Sequence, residues 1–128
     1  PLTCPDILKK CVGLGQKTGA EYTQAMNFPY GVGIDVFSSA LITYLDKNTT
    51  TPEEREHINK YVIDHPDLFK VRELNAPPAL KRPDVRLTID EMQDFKVIAS
   101  ILHSFQGSQP WKITLEEAVR IFDTTSCK

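Results

Sequence analysis

Hydrophobic and polar positions follow two different periods on the two sides of Asp90. Before it, Val85, Leu87 and Ile89 alternate with polar residues, which is the two-residue period of a β-strand. After it, apolar residues recur at three- and four-residue steps, as on one face of an amphipathic helix: Met92, Phe95, Ile98, Leu102 and Phe105. The pattern predicts a strand over residues 85–89 that passes directly into a helix, with Asp90 at the junction.

Two further helices have strongly marked starts. Thr51-Pro52-Glu53-Glu54 and Thr114-Leu115-Glu116-Glu117 each place a glutamate three residues after a threonine, which is the pattern of a capping box. We expect the first of these helices to continue through Val62. Ser38 is expected to cap a shorter helix upstream.

Shorter apolar runs between the helices predict four strands, over residues 21–25, 33–37, 69–74 and 85–89. Helices and strands that mix in this order are typical of the α/β class. The sequence therefore predicts a three-layer architecture, a mixed sheet flanked by helices, within a single domain that comprises residues 1–128.

Composition narrows the classes of partner. Fifteen basic and seventeen acidic residues leave a formal charge of −2, which gives no field to attract nucleic acid or an anionic membrane. Three cysteines, an odd number without a Cys-x-x-Cys pair, favour reduced thiols. No apolar run approaches the length of a membrane span. We expect a cytoplasmic protein that binds neither nucleic acid nor membrane.

Asp90 is the first candidate for chemistry. The carboxyl ends of strands form the usual ligand edge of an α/β sheet, and a carboxylate there can bind Mg²⁺ together with a second carboxylate or phosphate oxygens. The alternative is structural, since Asp90 can also cap the following helix with Gln93 completing the box. The local sequence leaves both roles open.

Weaker candidates lie on two other segments. Arg55, Glu56 and His57 offer donors and acceptors for sugar hydroxyls or phosphate oxygens, although acids near a helix start are also favoured by the helix dipole. Asp35 lies in a predicted strand, where an acid is disfavoured unless it has a partner or lies at an edge. No serine or cysteine accompanies them in a nucleophile arrangement.

Four segments together resemble a known family, the spore coat polysaccharide biosynthesis cytidylyltransferase-like proteins (the SpsF group). The most specific part of the resemblance begins with Glu54-Arg55-Glu56-His57 and runs to Phe69-Lys70. Arg86-Leu87-Thr88-Ile89-Asp90, followed by Asp94-Phe95, is similar to an Arg-Leu-Thr-Val-Asp segment of that family. The run from Gly31 to Ser38 resembles a strand of the family. Pro1-Leu2 resembles the end of an Asp-Cys-Pro-Leu motif.

The resemblance implies the C-terminal half of a nucleotide-diphospho-sugar transferase fold. In such an enzyme Asp90 is expected to bind Mg²⁺ with an acid of the motif that ends in Pro1-Leu2. Asp35, Arg55, Glu56 and His57 are expected to contact the sugar. The implied reaction transfers a nucleotidyl group from CTP to a sugar in the synthesis of surface (spore coat) polysaccharide.

Departures from the family pattern limit what this chain is expected to do alone. The family's N-terminal half, with its nucleotide loop, has no counterpart here, and Gly33 replaces an aspartate of the family strand. We therefore expect the chain alone to be inactive, and to need a missing N-terminal half or a homodimer. The alternative is a non-catalytic module that binds a sugar nucleotide or a protein.

Overall fold

A computed structural model describes residues 2, 4–107 and 109–126 of the chain, so Pro1 of the predicted motif lies outside the described residues. Its helices are α1 (Pro5–Thr18), α2 (Ser39–Asn48), α3 (Pro52–Glu56), α4 (Lys60–Asp64), α5 (Met92–Ser104) and α6 (Leu115–Ser126). Its strands are β1 (Tyr22–Met26), β2 (Asp35–Phe37) and β3 (Val71–Asn75). Short 3-10 turns lie at Pro66–Leu68, Pro78–Leu80 and Pro110–Lys112.

The chain divides into two compact units. One, here the sheet unit, comprises Asp6–Ala25 and Ile34–Leu74. The other, here the helix-pair unit, comprises Pro1–Pro5, Met26–Gly33 and Asn75–Lys128. Each unit is described by itself, and the single domain over residues 1–128 stays a prediction.

The three strands form a mixed sheet in the order β2-β1-β3. β1 and β2 are antiparallel, with Tyr22 opposite Phe37. β1 and β3 run in the same direction: Glu21 donates its amide to the Lys70 carbonyl at 2.8 Å, and Met26 accepts from the Ala76 amide at 2.9 Å. The α/β class predicted from the sequence is confirmed.

The core of the sheet unit gathers side chains from β1, α2 and α4. Tyr22, Leu41, Leu45 and Val62 are each at most 2% exposed. Leu41 and Leu45 are four residues apart and therefore share one face of α2. The predicted cap of α2 is confirmed, since the Ser38 hydroxyl accepts from the Leu41 amide at 3.1 Å.

The helix predicted from the Thr51 capping box through Val62 is wrong in one respect, because it is broken. The box itself forms: Glu54 accepts from the Thr51 amide at 3.0 Å and donates its own amide to the Thr51 hydroxyl at 3.3 Å. α3 then ends at Glu56, and His57 leaves the helical region with φ −111° and ψ 82°. The break separates α3, which buries none of its side chains, from α4, which carries Val62 into the core.

The strand predicted over residues 85–89 is also wrong, since this segment makes only one isolated parallel bridge, to Tyr30. The Tyr30 amide donates to the Val85 carbonyl and the Leu87 amide donates to the Tyr30 carbonyl, both at 2.8 Å. Gly31, with φ +93°, then turns the partner segment away, so the ladder cannot continue. The alternation still holds in part, because Val85 and Leu87 are fully buried.

In the helix-pair unit α5 packs against α6. The stripe predicted for α5 is displaced: Met92 and Phe95 are 69% and 53% exposed, and burial begins at Ile98 and Ile101. The buried apolar side chains of α6 are Leu115, Ala118, Val119 and Ile121. Within the described ranges, no helix has the length and apolar character that crossing a membrane requires.

Candidate functional site

The segment between the isolated bridge and α5 is organised around the carboxylate of Asp94. This carboxylate accepts hydrogen bonds from the Arg86 guanidinium at 2.9 and 3.0 Å and from the Thr88 hydroxyl at 3.2 Å. It also accepts from the backbone amides of Asp90 at 3.0 Å and Glu91 at 3.3 Å. The loop that carries Asp90 is therefore closed onto the first turn of α5.

The predicted capping role of Asp90 with Gln93 is wrong by one residue. Glu91 occupies the cap position of α5, and Asp94, three residues later, accepts from the Glu91 amide. Two adjacent acids can both act as caps, and the third residue after each decides between them. Asp94 is a better acceptor than the exposed Gln93, so the register settles on Glu91.

Asp90 itself lies on the surface with its side chain 62% exposed. Its Oδ2 accepts from Arg86 Nη2 at 2.8 Å. The same nitrogen donates to Asp94 Oδ2 at 3.0 Å, so one guanidinium links the two carboxylates. Asp90 is accessible to a ligand, whereas the Asp94 side chain is only 12% exposed.

The hydrogen bonds of Asp94 also affect its ionisation. The Arg86 guanidinium, followed by the Asp90 amide, holds the pKa of the Asp94 carboxyl well below its usual range. Asp94 is therefore ionised at neutral pH, and its charge is matched by Arg86.

Tyr30 and Gly31 lie next to the segment that carries Arg86. The Arg86 guanidinium carbon lies 5.0 Å from the centre of the Tyr30 ring, within the range of a cation–π contact. Gly31 lies so close to the segment that a Cβ built there would be 2.6 Å from Thr88 Cγ2 and 2.8 Å from the Thr88 backbone nitrogen. The segment from Arg86 to Thr88 is therefore restricted both by close backbone packing against Gly31 and by the charged contacts of Arg86.

A magnesium ion at Asp90 fits the donor set only in part. Carboxylate oxygen is the ligand type that Mg²⁺ prefers, and Mg²⁺ usually binds one or two carboxylates together with water and phosphate oxygens. In the part of the chain that the structure describes, no group of three acidic, histidine or cysteine side chains is placed to hold a metal. Asp90 fits one ligand position.

The sheet unit contains a second polar cluster, centred on Asp35. The Tyr22 hydroxyl donates to Asp35 Oδ1 at 2.7 Å, and the Asn59 amide donates to Oδ2 at 3.4 Å. On its other side the Tyr22 oxygen lies 3.2 Å from Gln24 Oε1, and the Gln24 amide donates to Glu73 at 3.3 Å. A row of amide and carboxylate groups therefore crosses all three strands.

Most of this row was missed by the sequence analysis. Its members come from separate stretches of the sequence. The strand order β2-β1-β3 brings Tyr22, Gln24 and Glu73 into one row with Asp35. Asn59 reaches Asp35 from the segment between α3 and α4. The one local signal is Gln24, a polar residue two positions after Tyr22 and therefore on the same face of β1.

The other sugar-contact candidates are not brought to Asp35 by the hydrogen bonds of this unit. Arg55 lies on α3 and bonds Asp46 and the Thr49 carbonyl, both at 3.4 Å. Glu56 and His57 are exposed at the end of α3. Asn59, two residues further along, makes the contact to Asp35. A shared sugar site for Asp35, Arg55, Glu56 and His57 stays a prediction.

We expect Tyr22→Phe to lower stability most below the ordinary tyrosine pKa. Burial, followed by the hydrogen bond to Asp35, raises the pKa of Tyr22 well above its ordinary value. The folded chain therefore holds this proton more tightly, and the contribution to stability declines as the pH rises beyond about 10. The free energy of unfolding should fall by about 1–2 kcal/mol at about pH 8, and by less at about pH 11.

Urea titrations at the two pH values measure this difference. Tyr30→Phe is the control, since Tyr30 is 57% exposed and keeps its ring over Arg86. A loss for Tyr22→Phe that is the same at both pH values would contradict the assigned hydrogen bond.

The α/β fold with its mixed sheet is the fold of a cytidylyltransferase. A solved structure, that of a cytidylyltransferase from Leptospira borgpetersenii serovar Hardjo-bovis (strain JB197), matches with a TM-score of 0.88 at 25% identity. The match covers 99% of this chain and 53% of that one.

Two curated proteins are similar in sequence. The uncharacterized protein MJ1063 of Methanocaldococcus jannaschii is 34% identical over 105 residues, which is 82% of this chain and 43% of that protein. The spore coat polysaccharide biosynthesis protein SpsF of Bacillus subtilis (strain 168) is 29% identical over 111 residues, 86% of this chain and 46% of that protein. No family model matches the sequence.

The chain thus spans about half the length of the relatives that it matches. The resemblance to the C-terminal half of SpsF-like cytidylyltransferases, predicted from the sequence, is confirmed.

Proposed function

We propose that this chain is the sugar-facing and metal-ligand half of a cytidylyltransferase-like enzyme. The complete enzyme would transfer a nucleotidyl group from CTP to a sugar in the synthesis of surface polysaccharide. The observation that carries the proposal is the Asp90 carboxylate, exposed and held by Arg86 at the entrance to α5. The similarity to a cytidylyltransferase structure and to SpsF supports the reaction class.

Magnesium, when bound, would neutralise charge on the phosphate oxygens of the nucleotide. Asp90 would provide one of its ligands, and the remaining ligands would come from water, phosphate and a carboxylate outside the described residues. Arg86 would keep the Asp90 carboxylate in place before a cation arrives.

The row around Asp35 would bind and orient the sugar. Its carboxylates accept hydrogen bonds from hydroxyl groups, while its amides both donate and accept. Arg55, Glu56 and His57 would add contacts from the end of α3. This chain would bind substrate without turning it over, because its match covers about half of a cytidylyltransferase.

Asp90→Asn is expected to abolish cation binding at the entrance to α5, because the substitution removes the negative charge that a divalent ion needs. Titration with Mn²⁺, a paramagnetic substitute for Mg²⁺, should broaden the backbone amide NMR signals of residues 90 and 91 in the unmodified chain. In the variant, the affinity for Mn²⁺ should be at least about tenfold weaker.

Asp84→Asn is a matched control. Asp84 is also 62% exposed and also bonded to an arginine, Arg82, at 2.8 Å. Asp84→Asn should leave Mn²⁺ broadening of the signals of residues 90 and 91 unchanged. Equal weakening by both substitutions would mean a diffuse surface effect and would remove Asp90 as a ligand.

Two further results bear on the whole proposal. Pyrophosphate release from CTP and sugars by the chain alone would contradict the half-enzyme proposal. Tight binding of a sugar nucleotide that does not depend on a cation would favour the non-catalytic module.

A further inference from the structure

We propose that Asp94 is the positioning residue for the Asp90 carboxylate. The inference rests on the proposed function, since it assigns the residue that fixes the proposed cation ligand. Asp94 would touch neither cation nor substrate. It would act through Arg86 and through the backbone of the loop.

The hydrogen bonds of Asp94 show how it would act. Its Oδ1 accepts from Arg86 Nε, and its Oδ2 accepts from Arg86 Nη2, the Thr88 hydroxyl and the amides of Asp90 and Glu91. These five donors come from four residues within a stretch of six. One side chain therefore fixes both the backbone at Asp90 and the arginine that holds the Asp90 side chain.

Exposure separates the two roles. The Asp94 side chain is 12% exposed and that of Asp90 is 62% exposed. Both Asp94 oxygens are already occupied by donors, so a cation would have to displace several hydrogen bonds to bind there. Asp90 has only the contact with Arg86 to exchange, among the contacts that the structure describes.

The sharing of Arg86 also addresses a difficulty for the proposed function. An arginine beside a cation ligand opposes the cation by charge, and it needs another partner when the ligand turns away. Arg86 keeps two hydrogen bonds to Asp94 at 2.9 and 3.0 Å if Asp90 turns to a cation. Asp94 would thus let Asp90 exchange Arg86 for a cation without releasing the arginine.

Asp94→Asn tests the inference because it nearly preserves the shape of the side chain and removes its charge. One oxygen becomes an NH₂ group, which cannot accept from Arg86 or from the loop amides. We expect the Arg86 Nε–H and the Asp90 amide to exchange with water at least about tenfold faster. Three-bond couplings should show that the Asp90 side chain has lost its single rotamer. Affinity for Mn²⁺ at residues 90 and 91 should fall about tenfold or more.

Glu117→Gln is the matched control. Glu117 closes the capping box of α6, accepting from the Thr114 amide at 2.9 Å and from the Thr114 hydroxyl at 2.8 Å. The variant keeps one acceptor oxygen for the box but loses the charge that strengthens its hydrogen bonds, so its Thr114 amide should exchange faster while Asp90, Arg86 and Mn²⁺ binding stay unchanged. Arg86→Lys is the second variant in case Asp94→Asn does not fold. A lysine cannot bridge two carboxylates with a planar fork, so it should release Asp90 in the same way.

The outcomes separate this inference from the proposed function. A fixed Asp90 rotamer in Asp94→Asn, or unchanged Mn²⁺ affinity after the rotamer is lost, would overturn the positioning role. If the unmodified chain shows no Mn²⁺ effect near Asp90 but Asp94→Asn still releases the Asp90 side chain, Asp94 keeps its positioning role and the cation site is rejected.

Discussion

Gly31→Ala is expected to destabilise the helix-pair unit by about 2–6 kcal/mol. Gly31 has φ +93°, a region that costs a non-glycine residue of the order of 1–3 kcal/mol. The added Cβ would also lie 2.6 Å from Thr88 Cγ2 and 3.0 Å from the Leu87 carbonyl carbon. Because part of this contact is backbone, the chain must move, and such overpacking costs a further 1–3 kcal/mol or so.

Gly13→Ala is the control for this substitution. Gly13 lies inside α1, and a Cβ built there meets nothing within 4 Å. Alanine should therefore raise stability by about 0.5–1 kcal/mol through its higher helix propensity. Urea denaturation followed by circular dichroism measures both variants. Similar stabilities for the two would show that the close approach at Gly31 is not a feature of the folded chain.

Leu45→Ala is expected to cost about 2–5 kcal/mol, because it opens a cavity in the core of the sheet unit. Leu45 is 2% exposed and packs in one cluster with Tyr22, Leu41 and Val62. The backbone of α2 is held by the Ser38 cap at one end and by the Thr49 hydroxyl, which donates to the Leu45 carbonyl at 2.7 Å, at the other. The helix therefore has little freedom to close the cavity.

Ile42→Ala on the same helix separates cavity formation from any effect on the helix itself. Ile42 is 40% exposed, so its truncation removes less buried surface and gains helix propensity. We expect a change within about 1 kcal/mol. Thermal and urea unfolding measure the free energy of unfolding of both variants. Equal losses of stability would argue against the burial of Leu45.

Signals local in sequence predicted the fold well. The capping boxes at Thr51 and Thr114 are formed, as is the Ser38 cap of α2. Such caps depend on side chains three residues apart, so a short stretch of sequence contains the whole interaction. Three of the four predicted strands exist for a similar reason, since alternation is read within a few residues.

Features that depend on distant residues were not predictable in this way. The segment over residues 85–89 alternates like a strand, but its ladder is ended by the conformation of Gly31, more than fifty residues earlier. The helix breaks after Glu56, and the separate helix α4 then packs Val62 into a core that β1 and α2 also form. The hydrophobic patterns of these two segments therefore contain no information about Gly31 or about that core.

The same distinction between local and distant signals applies to the candidate site. Asp90 was identified from its place between two periodic patterns, and its exposure fits a ligand role. Asp94 was not predicted as a site residue. A carboxylate in the first turn of a helix is ordinary in sequence, and only the donors around Asp94 distinguish it. The partners of Asp35 required the strand register, which one sequence does not provide.

The way the chain is threaded through its two units has a practical consequence for protein engineers. The sheet unit is assembled from two separate stretches of sequence and the helix-pair unit from three. No single cut yields the helix-pair unit whole: a truncation after Leu74 keeps both stretches of the sheet unit but separates Tyr30 and Gly31 from the segment around Arg86 that Tyr30 bridges. Anyone who transplants the Asp90 loop into another scaffold must therefore carry along a second, remote piece of the gene.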